Sequence, residues 1–495
     1  MPSEIELKLL LPGANPKTIA QTLARHPALA RRPRQEKWLT NIYFDTPEQA
    51  LRQQRSALRL RHVADKPGGH GDWLQTFKTA GTSQGGLSQR GEWETPVAGR
   101  ALDLNALEET PFHALLADGT PAASLAPCFE THCHRTTWLV RKRDGSTIEV
   151  ALDIGKIIAG KQQEPMLELE LELLTGSADA LFELAQSLAR QIAVLPSDAS
   201  KAERGYALAA GHIHSATRAR LESLAPGTPP IVAASQTMTG MYEQFTRNLA
   251  ALLHSDEPEV VHQARVAWRR WRSALRFFRP WLPAEPDRAG LTPLLSSLGR
   301  LRDLDVARTE TLPHWTDAYM GGNQGRRKNV TSAQALLDQA SMEARQMARR
   351  SIGTPSTGQV LLAHAAWLYA LRQPMDATGK GKKRSAWARE RMNKLQRRLT
   401  HAMDAARQPS ATEEMGHDAR LLAKRARYNI EALQGLLHRD KAKRWLKAAT
   451  ATQLFIGAQR DLQQAAVLLE QLGAEESLVS FLRGAATGGS KSNTQ

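Results

Sequence analysis

Between Ser3 and about Tyr206, apolar and polar residues alternate at every second position in eight short stretches: 4–10, 38–45, 57–63, 73–79, 88–94, 129–140, 147–153 and 166–174. Successive strand residues point to opposite faces, so this period predicts β-strands. The Gly, Pro and Asp punctuation between them, as in Lys66-Pro67-Gly68-Gly69, predicts turns. Helices fit at 16–26, 100–118 and 177–193. Residues 207–235 are rich in Ala, Ser and Pro and read as a connector. From 236 onward the chain is helical by composition, with breaks at Gly321–Asn329, Gly353–Gly358 and the Lys-rich Pro374–Ser385.

The polar side of the strands carries charge. Glu4, Glu6 and Lys8 share one face while Ile5, Leu7 and Leu9 share the other. The same i, i+2 or i, i+4 spacing aligns Arg59 with Arg61, Arg90 with Glu92 and Glu94, Glu149 with Asp153, and Glu168 with Glu170 and Glu172; Lys78 and Arg135 stand alone on their strands. Charges gathered on one side of about eight antiparallel strands predict a closed barrel with a polar lumen. So many carboxylates in one lumen repel each other, and a divalent cation is the natural compensation; hard oxygen ligands favour Mg²⁺ or Mn²⁺. The guanidinium and ammonium groups suit a polyanion, because guanidinium forks match phosphate oxygens two at a time. For any single strand a solvated salt-bridge ladder is an equal alternative. Seven clusters in phase make it the poorer one.

The helical half contains a repeat. His262, Arg265, Arg269 and Arg272 fall at offsets 0, 3, 7 and 10, and His417, Arg420, Lys424 and Arg427 repeat them. Arg270 and Arg425 both sit at offset 8. Some forty residues later, Leu298-Gly299-Arg300-Leu301-Arg302-Asp303-Leu304 is echoed by Ile456-Gly457-Ala458-Gln459-Arg460-Asp461-Leu462. At 100° per residue, His262, Arg265, Arg269, Arg272 and Arg276 span an arc of about 80° and form one stripe. Arg391, Lys394 and Arg398 repeat the 0, 3, 7 step on another helix. A cationic stripe faces either water or a polyanion, and the duplication favours the polyanion.

Overall charge sharpens this division. Of 66 Lys and Arg and 50 Asp and Glu, residues 1–215 hold 24 and 25, so the excess of +16 belongs to the second half. The cysteines, Cys128 and Cys133, number only two. No apolar run approaches the ~18 residues of a membrane span, and the first residues lack a charged-then-apolar signal pattern. A reducing cytoplasm and no membrane partner are the expectations. Cys128, His132, Cys133 and His134 look metal-like, but alternation sends Cys133 inward with Arg135 and both histidines outward, so the four cannot converge. His262 and His417 have no Cys or His at ligand spacing. Phosphate hydrogen bonding or a role in helix structure suits them better.

Glu4-x-Glu6-x-Lys8, Tyr43-Phe44-Asp45-Thr46, Leu58-Arg59-Leu60-Arg61, Thr76-Phe77-Lys78, Glu149-Val150-Ala151-Leu152-Asp153-x-Gly155, Glu168-Leu169-Glu170 and Ser200-Lys201-Ala202-Glu203-Arg204-Gly205-Tyr206 together resemble the CYTH domain of the triphosphate tunnel metalloenzymes. The resemblance covers about residues 1–210 and keeps the motifs in order. It implies an eight-stranded tunnel acting on a triphosphate with Mg²⁺ or Mn²⁺. Carried over residue by residue, it implies metal ligation by Glu4, Glu6, Glu149, Asp153, Glu168 and Glu170, with Glu170 and Glu172 the alternative to Glu168 and Glu170. Lys8, Arg59, Arg61, Lys78, Arg135 and Lys201 would hold the phosphates, and with Glu4 and Glu6 form the catalytic set.

In the second half, His262-x-x-Arg265-x-x-x-Arg269-Arg270-x-Arg272, Leu301-Arg302-Asp303-Leu304-Asp305 and His417-x-x-Arg420-x-x-x-Lys424-x-x-Arg427-Tyr428 resemble the CHAD family, the conserved-histidine α-helical domain, over about residues 236–485. The resemblance implies duplicated helical bundles whose basic groove binds inorganic polyphosphate. Lys424 stands where the first copy has Arg269, and Glu431 where it has Arg276, so the second copy is expected to bind less tightly.

The expected protein is multidomain α+β: an eight-stranded antiparallel barrel over 1–210, a connector over 211–235, an all-α duplicated helical-bundle domain over 236–485 and a disordered tail at 486–495. The expected activity is metal-dependent hydrolysis of tripolyphosphate to pyrophosphate and phosphate, in the cytoplasm and in association with polyphosphate granules. The alternatives are a granule-binding protein with weak catalysis, a thiamine or nucleoside triphosphatase, and a class IV-type adenylate cyclase. Nucleic acid is disfavoured as the polyanion, because aromatics make up only 5% of residues and no stacking platform is evident.

Overall fold

The computed structural model describes residues 3–112, 124–220, 223–372, 386–408, 410 and 412–488, with only the backbone described at 413, 452–459 and 488. The chain runs through β1 (Ser3–Leu10), β2 (Arg34–Asp45), β3 (Ala57–Ala64), β4 (Gly71–Lys78), β5 (Thr82–Gln84), β6 (Leu87–Val97), β7 (Ala126–Arg141), β8 (Thr147–Ala159), β9 (Gln162–Thr175) and β10 (Leu195–Pro196). Eight of these close in the order β1-β9-β8-β7-β2-β3-β4-β6 and back to β1, where Ser3 to Leu7 pair with Gly91 to Leu87. All pairings are antiparallel.

The eight expected strands are all present. The short β5 and β10 were not anticipated. Gly85 and Gly86, at φ +62° and +88°, make the two-residue turn between β5 and β6, a conformation open to residues without a β-carbon. The helix expected at 100–118 is only a short turn at Asn105–Leu107 as far as it is described.

Alternation works here with the usual polarity reversed. The outer faces of β1, β8 and β9 are apolar: Leu7, Leu9, Val150, Leu152, Leu169 and Leu171 are fully buried. They are covered by helices Ile19–Arg25 and Asp179–Ala189, which contribute Ile19, Leu23, Leu181, Phe182, Leu184 and Leu188. Each such side chain contributes about 1.5–3 kcal/mol on burial, which leaves the interior free to be polar.

The helical half docks on the flank of the barrel. Helix Pro355–Ala370 lies against helix Asp179–Ala189, where Gln359 Nε2 donates to the Ala189 carbonyl at 3.1 Å and Gln186 Nε2 to the Gln359 carbonyl at 2.9 Å. The Tyr242 hydroxyl donates to the Leu361 carbonyl, tying helix Pro230–Leu252 into the same core. That helix begins at Pro230, inside the stretch expected as a connector. The final helix, Glu476–Gly488, runs past the expected boundary at 485. The break expected at Pro374–Ser385 and the tail from 489 onward lie outside the described residues. The two repeat helices, Pro258–Phe278 and Glu413–Ala432, pack on each other, with Asn429 Nδ2 donating to Ser273 Oγ at 3.1 Å.

Candidate active site and basic groove

The barrel encloses a cavity of about 610 Å³ lined by Glu4, Glu6, Lys8, Arg59, Arg61, Lys78, Arg135, Glu149, Glu170 and Lys201 among others. All eight members of the expected catalytic set reach it. Strand order sorts the charges: carboxylates come from the contiguous strands β8, β9, β1 and β6, and the cations mainly from β7, β3 and β4, with Lys8 on β1 and Arg90 on β6. The lumen has an acidic half-wall and a basic half-wall.

Along the acidic wall, register places Glu172 directly across from both Glu6 and Glu149. Glu172 was expected as a ligand only in the alternative pair with Glu170. Among the described residues neither it nor Glu149 has a cation at ion-pair distance. Burial, with Glu4, Glu149 and Glu92 nearby, pushes the Glu172 carboxyl up to about 7. Glu4 differs: burial is outweighed by Lys78, at 2.9 Å, and Arg90, also at 2.9 Å, which hold its carboxyl well below the usual range. Arg90 also grips Glu6 at 2.8 Å, and sequence reasoning placed it in the lumen without a role.

Asp153 and Glu168 do not line the cavity. Both are fully buried behind it. Arg135 takes both oxygens of Asp153 at 2.7 Å, and the Lys201 ammonium sits among Asp153, Glu168 and Glu170, at 2.8 Å from the first and 2.7 Å from the last. Arg204 holds the other Glu168 oxygen at 3.1 Å. Where three carboxylates converge as if for a metal, the chain supplies its own cation. Burial penalises the Lys201 ammonium, but those three carboxylates raise its pKa well above the ordinary value.

The position of Lys201 is set locally. Ser200 caps helix Lys201–Ala209 by accepting from the Glu203 amide at 3.1 Å. Tyr206, on the same helix, donates to Asp45 at 2.6 Å, and Asp45 also accepts the amides of Thr46, Leu51 and Arg52. Gly205 faces the Phe129 ring so closely that a β-carbon would fall 2.1 Å from it. The Tyr-Phe-Asp-Thr motif and Gly205-Tyr206 thus latch the helix across the barrel end and aim Lys201 inward.

On the basic wall, Arg61 stands out. Its Nε donates to Asn41 Oδ1 at 2.9 Å, and among the described residues it has no carboxylate at ion-pair distance. Burial, with Arg59 and Arg135 beside it, lowers its pKa to about 10. Arg59 reaches Glu92 only at 3.6 Å and leaves its buried Nε without a partner. Burial first, and then its two arginine neighbours, disfavour the charge on Arg61, which no carboxylate at ion-pair distance balances among the described residues. At the mouth the helical half contributes Arg247, paired with Glu203 and Glu243, and Arg220 also lines the opening.

The second charged feature lies between the repeat helices. Arg265, Arg269, Arg420 and Lys424 face one another with Arg460, and among the described residues none of the first four has an acidic partner at ion-pair distance. The Nε atoms of Arg265, Arg269 and Arg420 are buried without hydrogen-bond partners. Burial together with Arg269, Arg420 and Arg460 lowers the Lys424 ammonium to about 7. The repeated Arg-Asp pairs meet the same cluster: His262 lies beside Arg302, and His417 Nδ1 is 3.4 Å from Arg460.

Other expected groove residues lie elsewhere. Arg272, Arg276 and Arg398 gather around Arg425 as a separate patch, and Lys394 is exposed. Arg270 and Arg427 are drawn to Glu431, at 2.7 and 3.5 Å. Arg391 donates to the carbonyls of Arg276 and Phe277 and lies over the rings of Phe277 and Trp281, a role in closing a helix end. Cys133 is buried against Leu39, Tyr43 and Phe129, while His132 pairs with Glu130 and His134 stacks on Trp38. Those Cys and His side chains do not form a cluster.

Comparison with known proteins shows the same division. The CYTH domain model matches residues 2–206 and the CHAD domain model residues 236–470. An inorganic triphosphatase of Haemophilus influenzae is 36% identical over 210 residues, covering 42% of this chain and 55% of that protein. The chain thus spans about half the length of this relative. The crystal structure of the CHAD domain from Ricinus communis is similar at 26% identity and a TM-score of 0.49, covering 57% of this chain and 93% of that one. A putative adenylyl cyclase from Hippeastrum, described as having a dominant triphosphatase activity, is similar at 18% identity and a TM-score of 0.30, covering 41% and 95%. No described helix is long and apolar enough to cross a membrane. The chain joins two families in one polypeptide, a CYTH domain over its barrel and a CHAD domain over its helical half.

Proposed function

We propose that the barrel is a metal-dependent inorganic triphosphatase, hydrolysing tripolyphosphate to pyrophosphate and phosphate, and that the groove between the repeat helices binds inorganic polyphosphate. The observation that carries the first reading is the split lumen: among the described residues, Glu149 and Glu172 on one wall and Arg61 on the other have no opposite charge at ion-pair distance. A metal-bridged polyphosphate is the kind of ligand that satisfies both walls at once.

Glu4, Glu6, Glu149 and Glu172, with Glu170 at the edge, fit a hard divalent cation such as Mg²⁺ or Mn²⁺. Asp153 and Glu168 fit less well, because they are fully buried behind the cavity; Glu4, Glu6 and Glu170 line it but would exchange contacts with Lys78, Arg90, Arg135 and Lys201 for the cation. A cation bound there would neutralise the acidic wall and polarise the phosphate chain. Arg59, Arg61 and Lys78 would hold the phosphate oxygens, and Lys8 and Lys201 would balance charge as the P–O bond breaks. Phosphoryl transfer to water asks for positioning and charge neutralisation, with little covalent chemistry from the protein.

For the helical half, the support is four facing cations that, among the described residues, have no carboxylate at ion-pair distance, although Asp303 and Asp461 lie nearby, and three buried Nε donors without a hydrogen-bond partner. A linear chain of phosphates can lie along them, whereas a duplex is too wide for a space between packed helices.

Phosphate release from tripolyphosphate, ATP and thiamine triphosphate, with Mg²⁺, with Mn²⁺ and with chelator, tests the reading. Fastest turnover is expected on tripolyphosphate with metal. Faster turnover of a nucleotide, or undiminished turnover in chelator, would overturn it.

A further inference from the structure

Away from the tunnel and the groove, three side chains from separate segments converge where the barrel meets the helical half. Glu164 lies near the start of β9, His214 comes after helix Lys201–Ala209, and His254 sits in the turn after helix Pro230–Leu252. His214 Nε2 is 2.9 Å from Glu164 Oε1, and the two imidazole rings stack with centroids 4.5 Å apart. One ligand-capable atom from each residue lies within 4.8 Å of the others. His214 holds φ at +65°, in the left-handed region that a residue with a β-carbon rarely adopts. Such strain persists where surrounding contacts impose it.

We propose that Glu164, His214 and His254 form a binding site for a divalent transition-metal cation of the Zn²⁺ class, cross-linking the barrel to the helical half. The donor set differs in kind from the lumen. Two imidazoles and one carboxylate are borderline donors that suit Zn²⁺ and its neighbours, whereas the all-carboxylate lumen suits Mg²⁺. Zinc–ligand distances of about 2.0–2.1 Å put neighbouring tetrahedral ligands about 3.3 Å apart. His214 and Glu164, at 2.9 Å, already have that spacing; the His254 ligand atom lies within 4.8 Å of both, and the stacked rings would have to turn to aim at one point. Exposed His254 leaves the fourth position to water.

The nearby cations are committed elsewhere. Arg204 is bound to Glu168 and to the Pro165 carbonyl, and Arg349 to the carbonyls of Leu252 and Ser255 and to Asp256. Burial, with His214 and these arginines nearby, lowers the His254 pKa, which favours the neutral imidazole that a metal requires. The resulting bridge would join residues 164, 214 and 254 and fix how the helical half sits on the barrel.

Co²⁺ titration of the full-length, chelator-stripped chain tests this. One equivalent should give the intense visible absorption of a four-coordinate N/O site, displaced by Zn²⁺ and untouched by excess Mg²⁺. The His214→Gln/His254→Gln double variant should lose that absorption and bind Zn²⁺ more weakly by over about 100-fold, since even residues that only orient a ligand cost up to that much. Only the weak spectrum of a six-coordinate oxygen site, or the same four-coordinate band in the double variant, would overturn the proposal. If that variant does not fold, Glu164→Gln and the Mg²⁺ competition on the unaltered chain decide the matter.

Discussion

Glu6 and Glu172 are direct cross-strand partners in the lumen, two carboxylates where an antiparallel pair ordinarily places an attraction. Like charges directly opposite are destabilising by up to about 1 kcal/mol. Glu172→Gln should therefore raise the Tm of the metal-free protein while abolishing most of the stabilisation that Mg²⁺ gives. Thermal melts with and without Mg²⁺ measure both; a variant that gains as much from Mg²⁺ as the unaltered chain would place the cation elsewhere.

Arg61 and Arg135 face the same cavity but should respond oppositely to removal. Arg135→Ala strands the fully buried Asp153 with Lys201 alone and should cost about 3–5 kcal/mol of stability. Arg61→Ala removes a guanidinium that, among the described residues, has no carboxylate at ion-pair distance, so Tm should hold or rise while KM for tripolyphosphate rises roughly tenfold or more, the weight of a hydrogen bond to a charged group. Urea denaturation and steady-state kinetics on both variants separate the two roles.

Lys424 links polyphosphate binding to pH. Its ammonium is lowered to about 7 in the free protein, against an ordinary 10.5, and a bound polyanion favours the charged form. Binding should then take up a proton between pH 7 and about 10, with affinity falling up to about tenfold per pH unit across that window and this contribution flattening below it. Lys424→Arg, always charged, should remove that slope. Calorimetry in two buffers of different ionisation enthalpy reads the proton directly; identical enthalpies at pH 8 would contradict the coupling.

Gly205→Ala should act at a distance. The new β-carbon meets the Phe129 ring at 2.1 Å, so the helix must lift, at a cost of about 1–3 kcal/mol. Lys201 moves with it. A fall in kcat larger than the change in KM is expected, and an unchanged kcat would mean that the latch does not position Lys201.

The eight strands and the charged lumen were legible because period-2 alternation is a local signal. Which glutamates of β9 meet the cavity was not, since Glu168, Glu170 and Glu172 share one face. Their depth depends on pairing with β1 and β8, more than a hundred positions away in the first case. Helix Lys201–Ala209 was missed for want of a long periodic run, although Ser200 with Glu203 three residues later is a capping signal. Thr228-Pro229-Pro230 likewise announced a helix start inside the expected connector. The basic stripe of the helical half was visible, but its division was not. Arg391 has the right spacing and a different job, because the carbonyls it caps belong to a helix end over a hundred residues earlier.

If the lumen works as two walls, carboxylates hold a cation and guanidiniums hold phosphates, and neither wall suffices alone. The decisive experiment is the Mg²⁺ dependence of tripolyphosphate hydrolysis by the purified Glu6→Gln/Glu172→Gln variant, with folding verified by circular dichroism. Two walls acting together predict a folded protein whose turnover is nearly abolished at every Mg²⁺ concentration. Near-normal turnover with an unshifted Mg²⁺ dependence would contradict them.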